Sequence, residues 1–521
     1  MPILLFLTIF LFFTIRFVFL FLSGLESNTY VKAVRSAIVT AKDAFANADI
    51  SYVFNVIIKI GGKTAYKHKR IILTEVFFSL LPSFLFSCFI SEKKKDMSLY
   101  VILKITFCMM RTVDKFGNPI DPEVGYARGK ILKNSQDEAK RREHAFEIIR
   151  WRYNKWGRAS LYDLTGLAGG FLVEIKHLEA LETYIGPAVF QPELEELAKK
   201  HLGDGEVIAL NRATAGILAT FLALLKSGEK VVHLTPRSPA HPSFVRAVRL
   251  AGAEYTEVNK VSELENILDE KTRILAITGA TMDYVVIPLE ELRKAIELAH
   301  EKNVIVFVDD ASGARIRTAI YNHPRARDLG ADLVVTSTDK LMFGPRGGLM
   351  VGRPELISKI RAKVYELGLE AQPPLIAGIV GALKAYNPER LRNAVKIGER
   401  MYEYAKKLVG ENVERSPVGF RITAENVLTI IMERAKISKT KIVPVEASSA
   451  LALKILEEYG IITVPAVGMP GASPTMRVDA TSKDMERIKP EKVVEHINEG
   501  INEISEKIKS LEEIRKVIHG T

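Results

Sequence analysis

An α/β fold with a mostly parallel sheet, followed by a smaller C-terminal α+β domain, is predicted for this 521-residue chain by three features. Short apolar runs rich in β-branched residues recur from about Leu181. Amphipathic helical stretches such as Leu289–Lys302 separate most of them, and after about Pro373 the alternation gives way to a different pattern. Near-continuous apolar strands joined by helical crossovers imply a sheet covered on both faces. Ligands of such sheets bind beyond the carboxyl ends of the strands.

The first 110 residues are set apart by composition. Of 73 Lys+Arg and 62 Asp+Glu in the chain, 13 and 6 fall there, so this fifth carries +7 of the net +11. It also holds both cysteines, Cys88 and Cys108, and 15 of the 24 Phe. A disulfide scaffold, a Cys-rich zinc module and a catalytic Cys in residues 111–521 are thereby excluded. Met1 to Leu22 is almost wholly apolar, with Arg16 its only charge, a length that suits a membrane-spanning helix. It lacks the basic start and small-residue cleavage site of a signal peptide. Ile71 to Ile90 is a second apolar stretch, interrupted by Glu75 and Pro82. A membrane anchor, an accessory domain and sequence upstream of a start at Met97, Met109 or Met110 compete. The abrupt change in composition favours the last, and with it a cytoplasmic protein, membrane-anchored only if residues 1–24 are retained.

Residues 111–180 are expected to form a helical segment. Ser135-Gln-Asp-Glu138 has capping-box spacing. The helix it opens carries Phe146, Ile149, Tyr153 and Trp156 at helical spacing and ends at Gly157. Its many basic residues, Arg141, Arg142 and Arg152 among them, are interleaved with Glu138, Glu143 and Glu147, which reads as a solvated charged face.

Residues 181–375 are expected to be the large domain, with strands at Val207–Leu210, Lys230–Leu234, Ile274–Thr278, Val304–Val308, Leu333–Thr336 and Leu349–Val351. Residues 376–521 form the smaller domain. There a helix is expected at Arg390–Leu408, a strand at Val427–Met432, a helix from Pro444, strands near Ile461–Val464 and Met476–Val478, and a final helix at Pro490–Ile514. Residues 111–521 contain only Gln136, Gln191 and Gln372 as glutamines, no Cys and many Lys, Glu and Ile, a composition expected of a thermophile.

Four strand ends carry chemistry. Lys340 follows one buried strand beside Gly344-Pro345, where a partly dry cleft would lower its pKa and make the amine a Schiff-base nucleophile. Most lysines at strand ends are merely solvated. Asp309 and Asp310 end another strand. A carboxylate there would keep a proton on a pyridine nitrogen, whereas the plain role is a helix N-cap. Asn211-Arg-Ala-Thr-Ala-Gly216 joins a strand to an apolar helix, so free amides and the helix dipole could seat a phosphate, or Thr214 could be only a cap. His241, in Pro239-Ala-His-Pro-Ser243, could lie flat on an aromatic cofactor, though a His in such a loop is more often structural. Together the four features point to pyridoxal 5'-phosphate. Gly61-Gly-Lys-Thr64 imitates the end of a P-loop, but Ile57 stands where its first glycine belongs. No G-x-S-x-G, H-E-x-x-H, G-x-G-x-x-G or paired-cysteine motif occurs, leaving hydrolase, metalloprotease and dinucleotide readings without support.

Ser337-Thr-Asp-Lys340 with Gly344-Pro345, Asp309 with Ser312-Gly313, and Asn211-Arg-Ala-Thr-Ala215 resemble the fold-type I pyridoxal-phosphate enzymes. The likeness, over roughly residues 130–520, is to bacterial selenocysteine synthase (L-seryl-tRNA selenium transferase) and similar archaeal proteins. It implies a seven-stranded-type, mostly parallel large domain and a homodimer or larger. Lys340 would be the internal aldimine lysine and Asp309 the partner of the pyridinium nitrogen. Arg212, Ala213, Thr214 and Ser337 would hold the phosphate, and His241 would cover the ring. Arg477, in Thr475-Met-Arg477-Val-Asp, would take the substrate carboxylate, as a bidentate guanidinium can, although an exposed arginine on a terminal strand is the plain alternative. Arg346 departs from selenocysteine synthase. With Arg315 and Arg317 it puts positive charge near the acid, suited to a phosphorylated or otherwise anionic substrate. The implied reaction is β-replacement or elimination on an amino acid or aminoacyl-tRNA. A lyase or aminotransferase on a small amino acid, or a non-catalytic binding module keeping the fold, are the alternatives. The near-balance of charge in residues 111–521, 60 basic against 56 acidic, weighs against a transfer-RNA substrate.

Overall fold

The computed structural model describes residues 113–167, 170–171 and 173–520, all within one compact unit, Cys108–Thr521. The two N-terminal apolar stretches lie outside the described residues. Among the described residues no helix is long and apolar enough to cross a membrane.

Seven strands form the central sheet: β1 (Glu206–Leu210), β2 (Lys230–Leu234), β3 (Glu254–Val258), β4 (Thr272–Thr278), β5 (Ile305–Asp309), β6 (Leu333–Ser337) and β7 (Gly348–Gly352). Their spatial order is β1-β7-β6-β5-β4-β2-β3. Every neighbouring pair is parallel except those of β7, which runs antiparallel to both β1 and β6. Six of these strands follow from their apolar runs. β3 does not, because it lies at the sheet edge and its Glu254-Tyr-Thr-Glu-Val258 is only partly buried.

Helix α1 (Ser135–Trp156) and α2 (Ile185–Leu202) precede the sheet. α3 (Ala213–Leu224), α4 (Pro242–Leu250) and α5 (Leu289–Glu301) cross between strands, and α6 (Pro354–Glu366) and α7 (Pro373–Lys384) follow it. Side-chain alternation along the strands splits the core into two layers. Leu275, Ile277, Val306 and Val308 pack with Phe190, Leu194, Leu292, Ile296 and Val380 of α2, α5 and α7. Ile274, Ala276, Ile305 and Phe307 face Phe221, Phe244 and Ile360 of α3, α4 and α6.

The C-terminal part sets α8 (Pro388–Val409), α9 (Ala424–Arg434), α10 (Pro444–Tyr459), α11 (Pro490–Lys507) and α12 (Leu511–His519) around an antiparallel sheet of β8 (Glu414–Ser416), β9 (Gly419–Ile422) and β10 (Met476–Asp479). Three expectations are corrected here. Val427–Met432 is helical, within α9. The Thr423 hydroxyl caps that helix by accepting from the Asn426 amide, and burial of Val427, Leu428, Ile430 and Ile431 leaves an apolar run without visible helical period. The strand near Ile461 is two residues long, Ile461–Ile462, and gives way to a helical turn at Val464. The final helix is broken at Ser510, whose hydroxyl caps α12 through the Glu513 amide.

Helix α1 also departs from expectation. Its cap is Asn134, whose side chain accepts from the Gln136 and Asp137 amides, while Glu138 turns inward to the Tyr126 hydroxyl, Arg128 and the Gly471 amide. The buried face runs through Arg141, Ala145, Ile148 and Arg152, leaving Phe146, Tyr153 and Trp156 exposed. Arg141 donates to the Gly468 carbonyl, and Arg152 donates to the Glu457 and Glu458 carbonyls at the end of α10. Such carbonyls lack helical partners, so a guanidinium satisfies them and complements the dipole.

Candidate active site

Residues that follow β1, β2, β4, β5 and β6 line one cavity of about 420 Å³. Lys340 enters it from a tight loop beyond β6. The Thr338 hydroxyl donates to the Pro345 carbonyl at 2.7 Å and accepts from the Gly347 amide at 3.1 Å, pinning the loop across its width. A Cβ on Gly344 would stand 2.2 Å from the Thr338 carbonyl oxygen, so that position needs glycine. Leu341 takes a left-handed φ of 60°, unusual for a side chain of its kind, and its amide donates to the Gly166 carbonyl. Burial pushes the Lys340 amine below its usual range, opposed by the charges of Asp309 and Asp339.

Asp309 ends β5, and Lys340 acts on it across the cavity. Burial raises its carboxyl to about 6, even though the Lys340 charge and the Ala311 amide, 3.0 Å from Oδ1, favour ionisation. Oδ2 has no partner among the described residues. Asp310 points away, paired with Arg317 through a 3.0 Å contact from Nε to Oδ1 and a second from Nη2 to Oδ2. It is therefore an ion-pair residue and not a cap. Both partners are buried, so Asp310→Ala leaves an uncompensated guanidinium. The expected cost is about 3–5 kcal/mol, read as a lowered urea midpoint, with a smaller loss when Arg317→Met is added.

Arg315 and Arg317 do not offer the free charge expected of them. Arg315 is fully buried, and its Nη2 donates to the Ala311 carbonyl, the Thr336 hydroxyl and the Ser337 carbonyl, while Nη1 donates to His201 Nε2. That fork ties the tip of β5 to the tip of β6, and so sets Asp309 relative to the Lys340 loop. His201 must be neutral to accept; burial and the adjoining arginines hold its pKa at about 3.

The start of α3 supplies open donors. The Arg212 side chain makes no cap bond, and among the described residues the amides of Ala213 and Thr214 meet no acceptor. Gly348 permits this close packing, because a Cβ there would lie 2.5 Å from the Ala213 nitrogen. Ser337 lines the same cavity. His241 lies on the wall, and its Nδ1 accepts from the Ser243 amide as the cap of α4. Burial, with Lys340 and Arg212 nearby, holds its pKa at about 3, so the ring is neutral and carries its proton on Nε2.

Arg477 reaches the cavity from β10 and is buried, not exposed. Its terminal nitrogens donate to the Met282 and Thr165 carbonyls, the guanidinium lies 3.8 Å from the Tyr284 ring centroid, and Nε–H is unpartnered. Arg346 is exposed at the mouth, 3.3 Å from Asp339. Residues that sequence reasoning did not place here include Arg142 and Phe146 of α1, Asp163, Asp283 and Tyr284.

An aminotransferase class-V family model matches residues 245–370, and a UPF0425 C-terminal domain model matches residues 409–489. A UPF0425 pyridoxal phosphate-dependent protein of Methanothermobacter thermautotrophicus is 44% identical over 390 residues, covering 75% of this chain and 100% of that relative. The chain belongs to this UPF0425 family. A second member, from Methanosphaera stadtmanae, is 45% identical over 361 residues, 69% of this chain and 92% of its own length. Lower similarity, 27% over 190 residues, links the UPF0425 chain to the L-seryl-tRNA(Sec) selenium transferase of Aquifex aeolicus, covering 35% of this chain and 42% of the relative. Among solved structures, L-threonine transaldolase from Pseudomonas fluorescens superposes with a TM-score of 0.52 at 14% identity, over 72% of this chain and 93% of that one, a likeness of fold alone.

This UPF0425 protein is thus a pyridoxal phosphate-dependent enzyme of the aminotransferase class-V superfamily with a fold-type I architecture. The cavity fits the cofactor on chemical grounds. It offers a desolvated amine for an aldehyde, a buried carboxylate with one oxygen open for a ring nitrogen, and two unsatisfied amides at a helix N-terminus for a phosphate.

Proposed function

We propose that the protein catalyses replacement or elimination of a β-substituent on an amino acid or aminoacyl substrate, a selenocysteine-synthase-like reaction. The observation that carries this reading is that Lys340, Asp309 and the open amides of Ala213 and Thr214 line one cavity, in which the Lys340 charge acts on Asp309. Bound pyridoxal phosphate supplies an electron sink for charge developing at the substrate Cα. Lys340 would hold the cofactor through its amine and would serve as the base for the substrate Cα proton. A lowered pKa leaves more of its amine in the basic form near neutral pH. Asp309 would hold a proton on the ring nitrogen. Neutral His241, on the cavity wall, would cover the ring without adding charge. Arg477, which lines the cavity with its terminal nitrogens held by the Met282 and Thr165 carbonyls, would offer its guanidinium charge to a substrate carboxylate.

A homo-oligomer is part of this reading, supported by the exposed Ile175, Tyr184, Ile185 and Val189 near the start of α2. The likeness to selenium transferase supports testing selenophosphate with seryl-tRNA beside free serine, cysteine and cystathionine. Elimination from the free amino acids expels the β-substituent, as water from serine, sulfide from cysteine or homocysteine from cystathionine, and hydrolysis of the remaining enamine gives pyruvate and ammonia; replacement exchanges that substituent for the incoming nucleophile. Turnover of an amino-group acceptor to a new amino acid, with no loss of a β-substituent from any of these compounds, would replace this reading with transamination.

A further inference from the structure

Three guanidinium groups from three separate elements line the same cavity: Arg142 from α1, Arg212 at the start of α3, and Arg346 from the loop between β6 and β7. They lie close enough to disfavour one another's charge. Arg346 depresses the pKa of both Arg142 and Arg212, and Arg142 depresses that of Arg212, in each case after burial as the larger cause. One carboxylate, Asp339, stands among them, 3.3 Å from Arg346 Nε. The other acids of the cavity are engaged elsewhere. Asp163 accepts from the Thr165 amide and hydroxyl, Asp283 accepts from the Ser473 and Thr475 hydroxyls, and Asp309 faces Lys340.

Gathering like charges around a single counter-charge opposes folding, and the resulting positive field in a concave wall attracts an anion. Arg142 is also held in place. Its Nε donates to the Val467 carbonyl at 3.1 Å, and its guanidinium lies 4.7 Å from the Phe146 ring centroid, which leaves both terminal nitrogens free and oriented. Arg212 directly precedes the amides of Ala213 and Thr214 and belongs with the cofactor phosphate. Arg142 and Arg346 are left over.

We propose that Arg142 and Arg346 form a second anion seat at the cavity mouth, distinct from the phosphate-binding turn of α3, and that the substrate carries a phosphate group there. This assignment rests on the proposed function and narrows its substrate to a phosphorylated one. The phosphate is either a monoester on a small amino acid or a diester of an aminoacyl-RNA end.

The test uses the full-length holoenzyme with inorganic phosphate as probe, titrated calorimetrically, and measures cofactor affinity separately by fluorescence. Arg346→Gln combined with Arg142→Gln is expected to weaken phosphate binding at least tenfold and to leave the pyridoxal-phosphate dissociation constant within about threefold. Arg346→Lys, at an exposed position that tolerates substitution, is expected to fall between. Cofactor affinity lowered tenfold with phosphate binding unchanged would assign both arginines to the cofactor and overturn the proposal. So would wild-type holoenzyme that does not bind phosphate. Competition by transfer RNA at low salt assigns the seat to a diester, and its absence assigns it to a monoester. An intact seat in an enzyme inert toward every β-substituted amino acid would count against the proposed reaction alone. Active turnover without a seat would count against this inference alone.

Discussion

Lys340→Ala is expected to abolish covalent capture of pyridoxal phosphate and to lower turnover by about three orders of magnitude or more, since under the proposed function it removes both the cofactor's attachment and the proton acceptor at Cα. The fold should survive. Lys340 forms no hydrogen bond to the rest of the described chain through its amine, and the loop that carries it is fixed by Thr338, Gly344 and Gly347 instead. The check is a pair of measurements on the variant: visible absorbance after cofactor addition, and circular dichroism with a thermal melt. A variant that still binds the cofactor covalently would refute the role given to this amine.

Asp309→Asn separates function from stability. Under the proposed function the ring nitrogen would then lack the group that holds its proton, and the rate is expected to fall by about 10²–10⁴-fold. Stability of the cofactor-free protein should move the other way. An unfolded Asp titrates near 3.9, and burial raises Asp309 to about 6, so the native state binds the proton more tightly. The stability linked to this site is fully present below about pH 4 and is lost as pH rises through 6. At pH 8 the wild-type protein therefore holds a poorly solvated carboxylate that the amide avoids. Asp309→Asn should be more stable there by on the order of 1–3 kcal/mol, reduced by Lys340's loss of its counter-charge. The advantage should shrink by pH 5. Urea denaturation of both cofactor-free proteins at the two pH values checks this. A variant less stable than wild type at pH 8 would contradict the raised pKa.

Much of the sheet and part of the site are visible in the sequence for one physical reason. Buried parallel strands must be apolar along their whole length, and the residues just beyond them are free to be polar, so Asp309, Lys340 and the turn at Ala213 stand out as punctuation after apolar runs. Local spacing serves less well where both sides of an element are buried. Val427–Met432 reads as a strand because a helix buried nearly all round shows no 3.6-residue period. It fails too where charge is buried by pairing. Arg141 and Arg152 look solvated in sequence, and Arg315 and Arg317 look like free charge for an anionic substrate, yet each is satisfied by carbonyls or a carboxylate far away in the chain or across a turn. Arg142 is the clearest case, since nothing in the spacing of a helix near residue 142 places it beside Arg346.

Borohydride reduction of the holoenzyme followed by peptide mapping tests the central assignment most directly. The expected result is one pyridoxyl-modified peptide carrying the adduct on Lys340, absent from Lys340→Ala and still formed in Asp309→Asn. Modification of a different lysine, or a cofactor that reduction leaves unattached, would contradict it.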